Sequence, residues 1–332
     1  MAKNATIYNV AALAGVSITT VSRVLNSPGQ VSAVSRKKII DAMKELNFTP
    51  KAEAIARARK DFKRIGVLTP FLTAPSFVQR IRSISRVLSV TDFELITYSV
   101  ESEEQLAEYL SMLPVSNRID GLIILALPVK EEGIKLFKEY NFPVVMVEIS
   151  NPSVSSIEID NFAGGKLAAE YLIARGYKTF GFIGEGGQTA YSLHATEHRF
   201  EGFKNSLTEN GFSLHPDNVS FHEYGMDYSV EAVKKILESD AKPEALFAAS
   251  DLQAVGVIKS AREMGLKIPD DIAVIGFDDI DLADYMGITT INQSLNQSGQ
   301  TAVELLLEQI ENPFSSVKHI SYQLKVIERY SA

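Results

Sequence analysis

The run Thr6-Ile-Tyr-Asn-Val-Ala-Ala-Leu-Ala-Gly-Val-Ser-Ile-Thr-Thr-Val-Ser-Arg-Val-Leu-Asn26 decides how this chain begins to fold. Thr6 is placed to cap a helix, and Ile7, Val10, Ala11 and Ala14 follow at helical spacing. Gly15 stands where a left-handed residue ends that helix. Val16 is a small apolar turn residue, and Ser17 can cap a second helix running through Val21, Val24 and Leu25. Ala11, Gly15 and Val21 fit a tight helix-turn-helix: small inside the first helix, positive φ in the turn, β-branched at the crossing. The second helix leaves Ile18, Thr19, Thr20, Ser22 and Arg23 off its core side. That short polar face suits a major groove, where hydroxyls and a guanidinium reach base edges and an apolar group meets a thymine methyl. Asn26-Ser-Pro-Gly29 reads as a loop. Ser32 or Ser35 then opens a third helix with Ile39, Ile40, Met43 and Leu46 inward. Arg36, Lys37 and Lys38 lie in its first turn, where they oppose the helix dipole but can reach phosphates.

Charge supports the same division. The 332 residues carry a formal charge of −8, which taken alone argues against a polyanionic partner. Residues 1–64, however, hold twelve basic and four acidic side chains, a formal +8, so the other 268 residues carry −16. A basic module attached to an acidic body is the pattern of a chain whose one end meets nucleic acid. The chain has no cysteine, which excludes disulfides, thiolate zinc sites, iron–sulfur clusters and thiol nucleophiles. No apolar run reaches the ~18 residues of a membrane span. Met1-Ala-Lys-Asn-Ala-Thr6 lacks the apolar stretch of a signal peptide, so a cytoplasmic location and no membrane partner are expected.

From Ile65 onward, apolar β-rich runs alternate with helical stretches. Strands are expected at 65–69, 93–97, 121–125, 143–147, 155–159, 179–183, 219–223, 245–249, 273–277 and 321–325. Helical stretches such as 165–174, 229–237 and 300–309 separate most of them. This rhythm implies parallel sheets with helices on both faces. Roughly ten strands suit two doubly wound lobes, with ligands bound beyond the strands' carboxyl ends and therefore between the lobes.

The wording of the first stretch closely resembles the start of the lactose/galactose repressor family of bacterial transcription regulators. Val31-Ser-Ala-Val-Ser-Arg-Lys-Lys38 and Leu46-Asn-Phe-Thr-Pro50 continue the match. The resemblance implies that Ile18, Thr19 and Arg23 read bases while Tyr8, Ser17, Ser22 and Asn26 mainly touch phosphates. Residues 50–60 then resemble the hinge helix, which folds on DNA and pairs with its dimer mate in the minor groove. The family's wedging leucine is replaced by Arg57, and the preceding basic position holds Ile55. Either Ile55 supplies the wedge in a shifted register, or Arg57 reads a narrowed groove electrostatically.

The resemblance continues through Ile159-Asp-Asn-Phe-Ala-Gly-Gly165, Leu172-Ile-Ala-Arg-Gly-Tyr177, Arg199-Phe-Glu-Gly-Phe203, Ser250-Asp-Leu-Gln-Ala-Val-Gly256 and Ile268-Pro-Asp-Asp-Ile-Ala-Val-Ile-Gly-Phe-Asp-Asp279. It implies a periplasmic-binding-protein-like effector domain, with Thr289-Thr-Ile-Asn-Gln293 as a crossover strand. The organisation it implies is a helix-turn-helix domain at 1–48, a hinge at 49–62 and an effector and dimerisation domain at 63–332. Lobe one would take about 63–161 plus 293–320, and lobe two about 162–290 plus 321–332. The fold class is thus a small all-α head on an α/β two-lobed body.

Effector contacts carried over by the resemblance are Arg199, Asp251, Asp278 and Tyr224, with Asp160 and Asn161 at the lobe crossover. Arg199 would fork onto ligand hydroxyls or a carboxylate. In the first loop, Phe71 stands where sugar-binding members often carry Asp, and Ser76 where they often carry an aromatic. That change argues against a simple hexose of the usual type. The expected partners are a pseudo-palindromic double-stranded operator, a small-molecule effector such as a sugar derivative, and a second copy of the chain, with a tetramer left open. No cofactor is expected. Two rival readings remain. His194-Ala-Thr-Glu-His198 has the H-x-x-E-H order of inverted zinc proteases, with Glu197 as base, although no motif supplies a third ligand. A free-standing solute-binding protein would share the body but would lack residues 6–46.

Overall fold

The computed structural model describes the whole chain except residues 1–5, 27–30, 47, 49–61, 117, 187–193 and 223–225. The hinge residues Ile55 and Arg57 and the effector candidate Tyr224 lie outside the described residues.

Three helices form the head: α1 (Ile7–Ala14), α2 (Ile18–Asn26) and α3 (Ala33–Glu45). The Thr6 N–H donates to Asn9 Oδ1 at 2.9 Å at the start of α1, and Gly15 ends that helix at φ 65°. The chain turns by 102° between α1 and α2, within the range of a helix-turn-helix. Ser17 Oγ accepts from the Thr20 N–H at 3.1 Å and so caps α2. Ser32, not Ser35, caps α3. Val10, Ala11, Val21, Val24, Ile39 and Ala42 form the small core. Ile40 was expected inward but is exposed; Ile39 and Ala42, three residues apart on one face of α3, are the buried ones, and Ile40 lies about 100° round the helix from Ile39.

The body holds two six-stranded sheets. The first contains β1 (Arg64–Thr69), β2 (Glu94–Ser99), β3 (Gly121–Leu125), β4 (Val144–Val147), β5 (Ser155–Glu158) and β11 (His319–Ser321), in the order β11-β5-β4-β3-β1-β2. The second contains β6 (Phe180–Glu185), β7 (Val219–His222), β8 (Ala245–Ala248), β9 (Ala273–Asp278), β10 (Thr289–Asn292) and β12 (Lys325–Ile327), in the order β12-β10-β9-β8-β6-β7. Every pairing is parallel except β10 with β12. The helices of the first layer are α4 (Pro75–Leu88), α5 (Glu103–Met112), α6 (Glu131–Glu139) and α12 (Leu295–Glu311). Those of the second are α7 (Asn161–Ala174), α8 (Ala195–Glu209), α9 (Met226–Glu238), α10 (Asp251–Glu263) and the short α11 (Asp281–Met286).

Both sheet faces are covered, so the strands read as continuous apolar runs. Ile123 and Leu125 pack on one side with Ile84 and Val303, while Leu122 and Ile124 pack on the other with Leu110 and Phe137. The second sheet repeats this, with Phe182 and Phe247 against Phe203 on one face and Leu246 and Ala248 against Val257 on the other. The chain passes between the layers three times: after β5, after β10, and between β11 and β12. The last passage corrects the sequence reading. The expected strand at 321–325 is two three-residue strands in different sheets, and Tyr322-Gln-Leu324 is the crossing between them. Its apolar–polar alternation is real, but partner geometry, not pattern, assigns short edge strands to a sheet.

One contact fixes the second layer. A Cβ on Gly165 of α7 would lie 1.9 Å from the Arg199 carbonyl oxygen, and one on Gly202 of α8 would lie 1.9 Å from the Phe162 carbonyl oxygen. The two helices touch backbone to backbone, which only glycine permits. Replacing Gly202 by Ala should cost roughly 1–3 kcal/mol or more by forcing the helices apart. Urea unfolding of the full chain measures it, and a change within error would show that the helices can slide freely.

Candidate functional site

On the head, α2 buries Val21 and Val24 and exposes Ile18, Thr19 and Arg23. Thr20 and Ser22 are half-buried at its flank, and Thr20 Oγ1 shares a hydrogen bond with Ser17 Oγ at 2.8 Å. Tyr8 projects from α1 into solvent, and Asn26 closes α2. The Ile18, Thr19 and Arg23 face inferred from spacing is therefore exposed, as are Lys37 and Lys38 on α3.

In the body, strand carboxyl ends of both sheets meet around a partly open cavity of about 100 Å³. Phe71, Ser76 and Phe77 come from the loop and helix after β1, Ala126 follows β3, and Glu148 follows β4. The other wall holds Glu185 at the end of β6, Thr196 and Arg199 of α8, Ser250 and Gln253 near the start of α10, Asp278 at the end of β9, and Gln293 after β10. Three of these residues have left-handed backbones although none is glycine: Ala126 at φ 48°, Glu148 at φ 69° and Asp278 at φ 118°. Strain of this kind persists where the surroundings over-determine it, and it clusters at ligand sites.

Arg199 is the best-held side chain in the cavity. Its Nε donates to Asn161 Oδ1 at 2.8 Å, and its Nη1 donates to the Ala249 carbonyl at 2.6 Å. The guanidinium lies 3.6 Å over the centre of the Phe277 ring, and Nη1 stands 3.6 Å from Asp278 Oδ1. Gln293 Nε2 donates to the same Asp278 oxygen at 2.5 Å. On the opposite wall, Arg80 of α4 is wholly buried, pairs with Glu148 at 2.6 Å and donates from Nε to Ser298 Oγ at 3.0 Å. Across the rim, the Asp281 N–H donates to Gln79 Oε1 at 2.9 Å, and Arg82 pairs with the Asp281 carboxylate at 2.5 Å. Residues of the two sheet layers are thus tied together over the cavity.

The structure brings Phe71, Ser76, Arg199 and Asp278 together. Asp160 and Asn161 lie outside the cavity wall, on an adjoining space of about 590 Å³ that shares Glu148 and Ala195 with it. Asp160 caps α7, accepting from the Ala163 N–H at 2.8 Å, and Asn161 acts through Arg199. Asp251 does not face the cavity. Its carboxylate sits against Gly276, where Thr290 Oγ1 donates to Oδ1 at 2.5 Å and the Ile280 N–H donates to Oδ2 at 2.9 Å. Its neighbours Ser250 and Gln253 line the cavity instead, because the first turn of α10 points residue 251 back into the sheet. Glu148, Glu185, Thr196 and Gln293 were missed. A polar residue closing an apolar strand was the available signal for Glu148 and Glu185.

His194 and His198 sit at the mouth of the adjoining space. His194 Nδ1 is 3.4 Å from Glu197 Oε1, and among the described residues no three His, Asp or Glu side chains are grouped to hold a metal ion.

Residues 6–51 match the family described as bacterial regulatory proteins, lacI family, and residues 169–332 match a periplasmic binding protein-like domain. The chain is 33% identical over 312 residues to the HTH-type transcriptional repressor PurR of Pasteurella multocida, covering 92% of both chains. This chain belongs to the lacI family. Among solved structures it is similar to a lacI-family transcriptional regulator from Silicibacter pomeroyi, with 26% identity, a TM-score of 0.74, and 98% and 99% of the two chains covered. It is also similar to a lacI-family regulator from Enterococcus faecium with bound ribose, with 27% identity and a TM-score of 0.69 over 81% of this chain and 98% of that one. Its relatives in the family are repressors rather than enzymes, which removes the hydrolase reading.

Burial, then the charge of Asp278, pushes the Glu185 carboxyl up to about 7, against a smaller lowering by Arg199. Burial also raises Asp278 to about 7, with Arg199 opposing it and Glu148 adding to it. Raised carboxyls bind protons in the folded chain that the unfolded chain has already lost. Their cost is absent below the ordinary carboxyl range and fully present above about 7, so stability falls as pH rises between the two. Melting temperature should therefore decline from about pH 5 to about pH 7, and less steeply in Glu185→Gln. An equal slope in the variant would mean that Glu185 does not titrate there.

Proposed function

We propose that this protein is a transcription repressor that reads operator DNA with α2 and whose hold on DNA is set by a small ligand in the interlobe cavity. The observation that carries this reading is one chain joining an exposed Ile18–Thr19–Arg23 face to an interlobe cavity built around a buried arginine. Two heads reading a pseudo-palindromic site, held by a homodimeric body, complete the arrangement. Base contacts come from Ile18, Thr19 and Arg23, while Tyr8, Ser17, Ser22, Asn26 and the lysines of α3 position the head on phosphates. Such a protein works where its operator is, in the bacterial cytoplasm.

Ligand control follows from where the cavity is built. Its walls belong to different sheet layers, so a ligand that touches both favours one relative placement of the layers. Any change in that placement reaches the hinge at 49–62. Ligand and operator affinities are then coupled by the same factor in both directions. The relative with bound ribose supports a polar, hydroxyl-bearing effector class. Phe71, in the wall where an acceptor was expected, supports a ligand other than the usual hexose.

The test is operator binding measured across a randomised site library. Arg23→Ala should relax preference at one base pair per half-site at a cost of roughly 1–3 kcal/mol. Uniform weakening over all sequences would assign Arg23 to phosphate instead. Arg57→Leu should change the preferred central base step, since a leucine wedge and an arginine in a narrow groove select different steps. An unaltered central profile would take Arg57 out of operator recognition.

A further inference from the structure

The charges and hydrogen-bond groups of the cavity do not balance. Two guanidiniums stand against three lining carboxylates. Arg80 is taken by Glu148, and Arg199 faces Asp278. Glu185 is left with no hydrogen bond or ion pair among the described residues. The donors that line the cavity are mostly spent as well: Arg199 Nε on Asn161, Arg199 Nη1 on the Ala249 carbonyl, and Gln293 Nε2 on Asp278, while Arg80, outside the lining, keeps buried Nη1 and Nη2 with no hydrogen bond beyond its ion pair with Glu148.

The acceptors are unspent. Gln253 and Gln293 line the cavity at 2% and 1% exposure, and the side-chain oxygen of each has no partner. Buried polar atoms are nearly always hydrogen-bonded, so two lone acceptors in one wall mark places a ligand fills. Both need donors. The half-buried Glu185 carboxyl, unpaired and held near 7, is the place where a cation gains most, because an ammonium beside it favours the ionised form. The cavity's 100 Å³ is below the roughly 300–1,000 Å³ of drug-sized sites, so a compact ligand fits it without extending into the adjoining space of about 590 Å³. Phe71, Phe77 and Ile280 offer an apolar wall for its carbon skeleton.

We propose that the cavity takes a compact polyhydroxylated primary amine, an amino sugar or amino alcohol, with its ammonium group against Glu185 and its hydroxyls donating to Gln253 and Gln293. This rests on the cavity being the effector site. A carboxylated ligand is selected against, since it would meet Glu185 and Asp278 with like charge.

The test titrates full-length protein calorimetrically with D-glucosamine, serinol, D-glucose and D-glucuronate, and repeats operator binding with each. At least one of the two amines should bind about tenfold or more tightly than D-glucose, a difference of one well-placed ion pair, and D-glucuronate should be the weakest. D-glucosamine as the better amine identifies an amino sugar, and serinol a smaller amino alcohol. Glu185→Gln should lower the affinity for the preferred amine and remove its advantage over D-glucose, while an unchanged circular dichroism spectrum shows that the variant folds. D-glucose or D-glucuronate binding as tightly as either amine would overturn the proposal. So would failure of both amines to bind, or an unchanged amine affinity in Glu185→Gln. If D-glucose alone alters operator binding, effector control stands and only the cationic ligand falls.

Discussion

A buried guanidinium is the constraint from which the body of this protein follows. Arg199 is buried, and burial lowers its pKa against the raising influence of Asp278, Glu148, Glu185 and Asp251. Such a group survives only if most of its faces are occupied by something that favours the charge. Here Asn161, the Ala249 carbonyl, the Phe277 ring and Asp278 share that task. Those four come from the start of α7, the end of β8 and the end of β9. Holding Arg199 in place therefore holds together the edge of the second sheet at which ligands bind.

That arrangement explains two features that look unrelated. The glycine pair at 165 and 202 lets α7 and α8 approach until Asn161 reaches Arg199 Nε. The left-handed backbones at Glu148 and Asp278 turn two carboxylates toward the cavity at the places where their strands end. Packing energy from the four-sided cores of the two sheets maintains both conformations. The site is consequently stiff within each layer, and relative movement is left to the rim contacts of Gln79 and Arg82 with Asp281. These rim groups are exposed or small in number, and exposed ion pairs are worth only about 0–1 kcal/mol. A ligand can shift a balance held by contacts of that size.

The head works by the opposite economy. Among the described residues its core is six buried side chains with half-buried ones such as Ile7, Met43 and Phe48 packed against them, and its binding face is what remains outside that core. Arg23 and Thr19 are in place because Val21 and Val24 are inward. The formal −8 of the chain hides this division. An acidic body repelled by DNA leaves contact to the basic head, which limits non-specific binding along the duplex.

Local reach separates what could be read in the sequence from what could not. The head was legible because cap, turn glycine and 3.6-residue spacing act within twenty residues, and those forces decide a short helical unit. The two sheets were legible because strands buried on both faces must be apolar throughout. Arg199 and Asp278 were found through their resemblance to a family, while Gln253 and Gln293 had no local mark and Glu148 and Glu185 only that of a polar residue closing an apolar strand. Asp251 looked as suitable as Asp278, yet one turn of helix directs it to Thr290 and the Ile280 N–H. Residues 321–325 looked like one strand and serve two sheets. The sequence by itself determined which segments become helix or strand and where the positive charge lies, since periodicity and composition are properties of neighbours. Tertiary structure alone decided which carboxylates share a cavity and which are left without a partner. That outcome depends on side chains more than a hundred residues apart meeting at the ends of strands whose order the chain does not spell out.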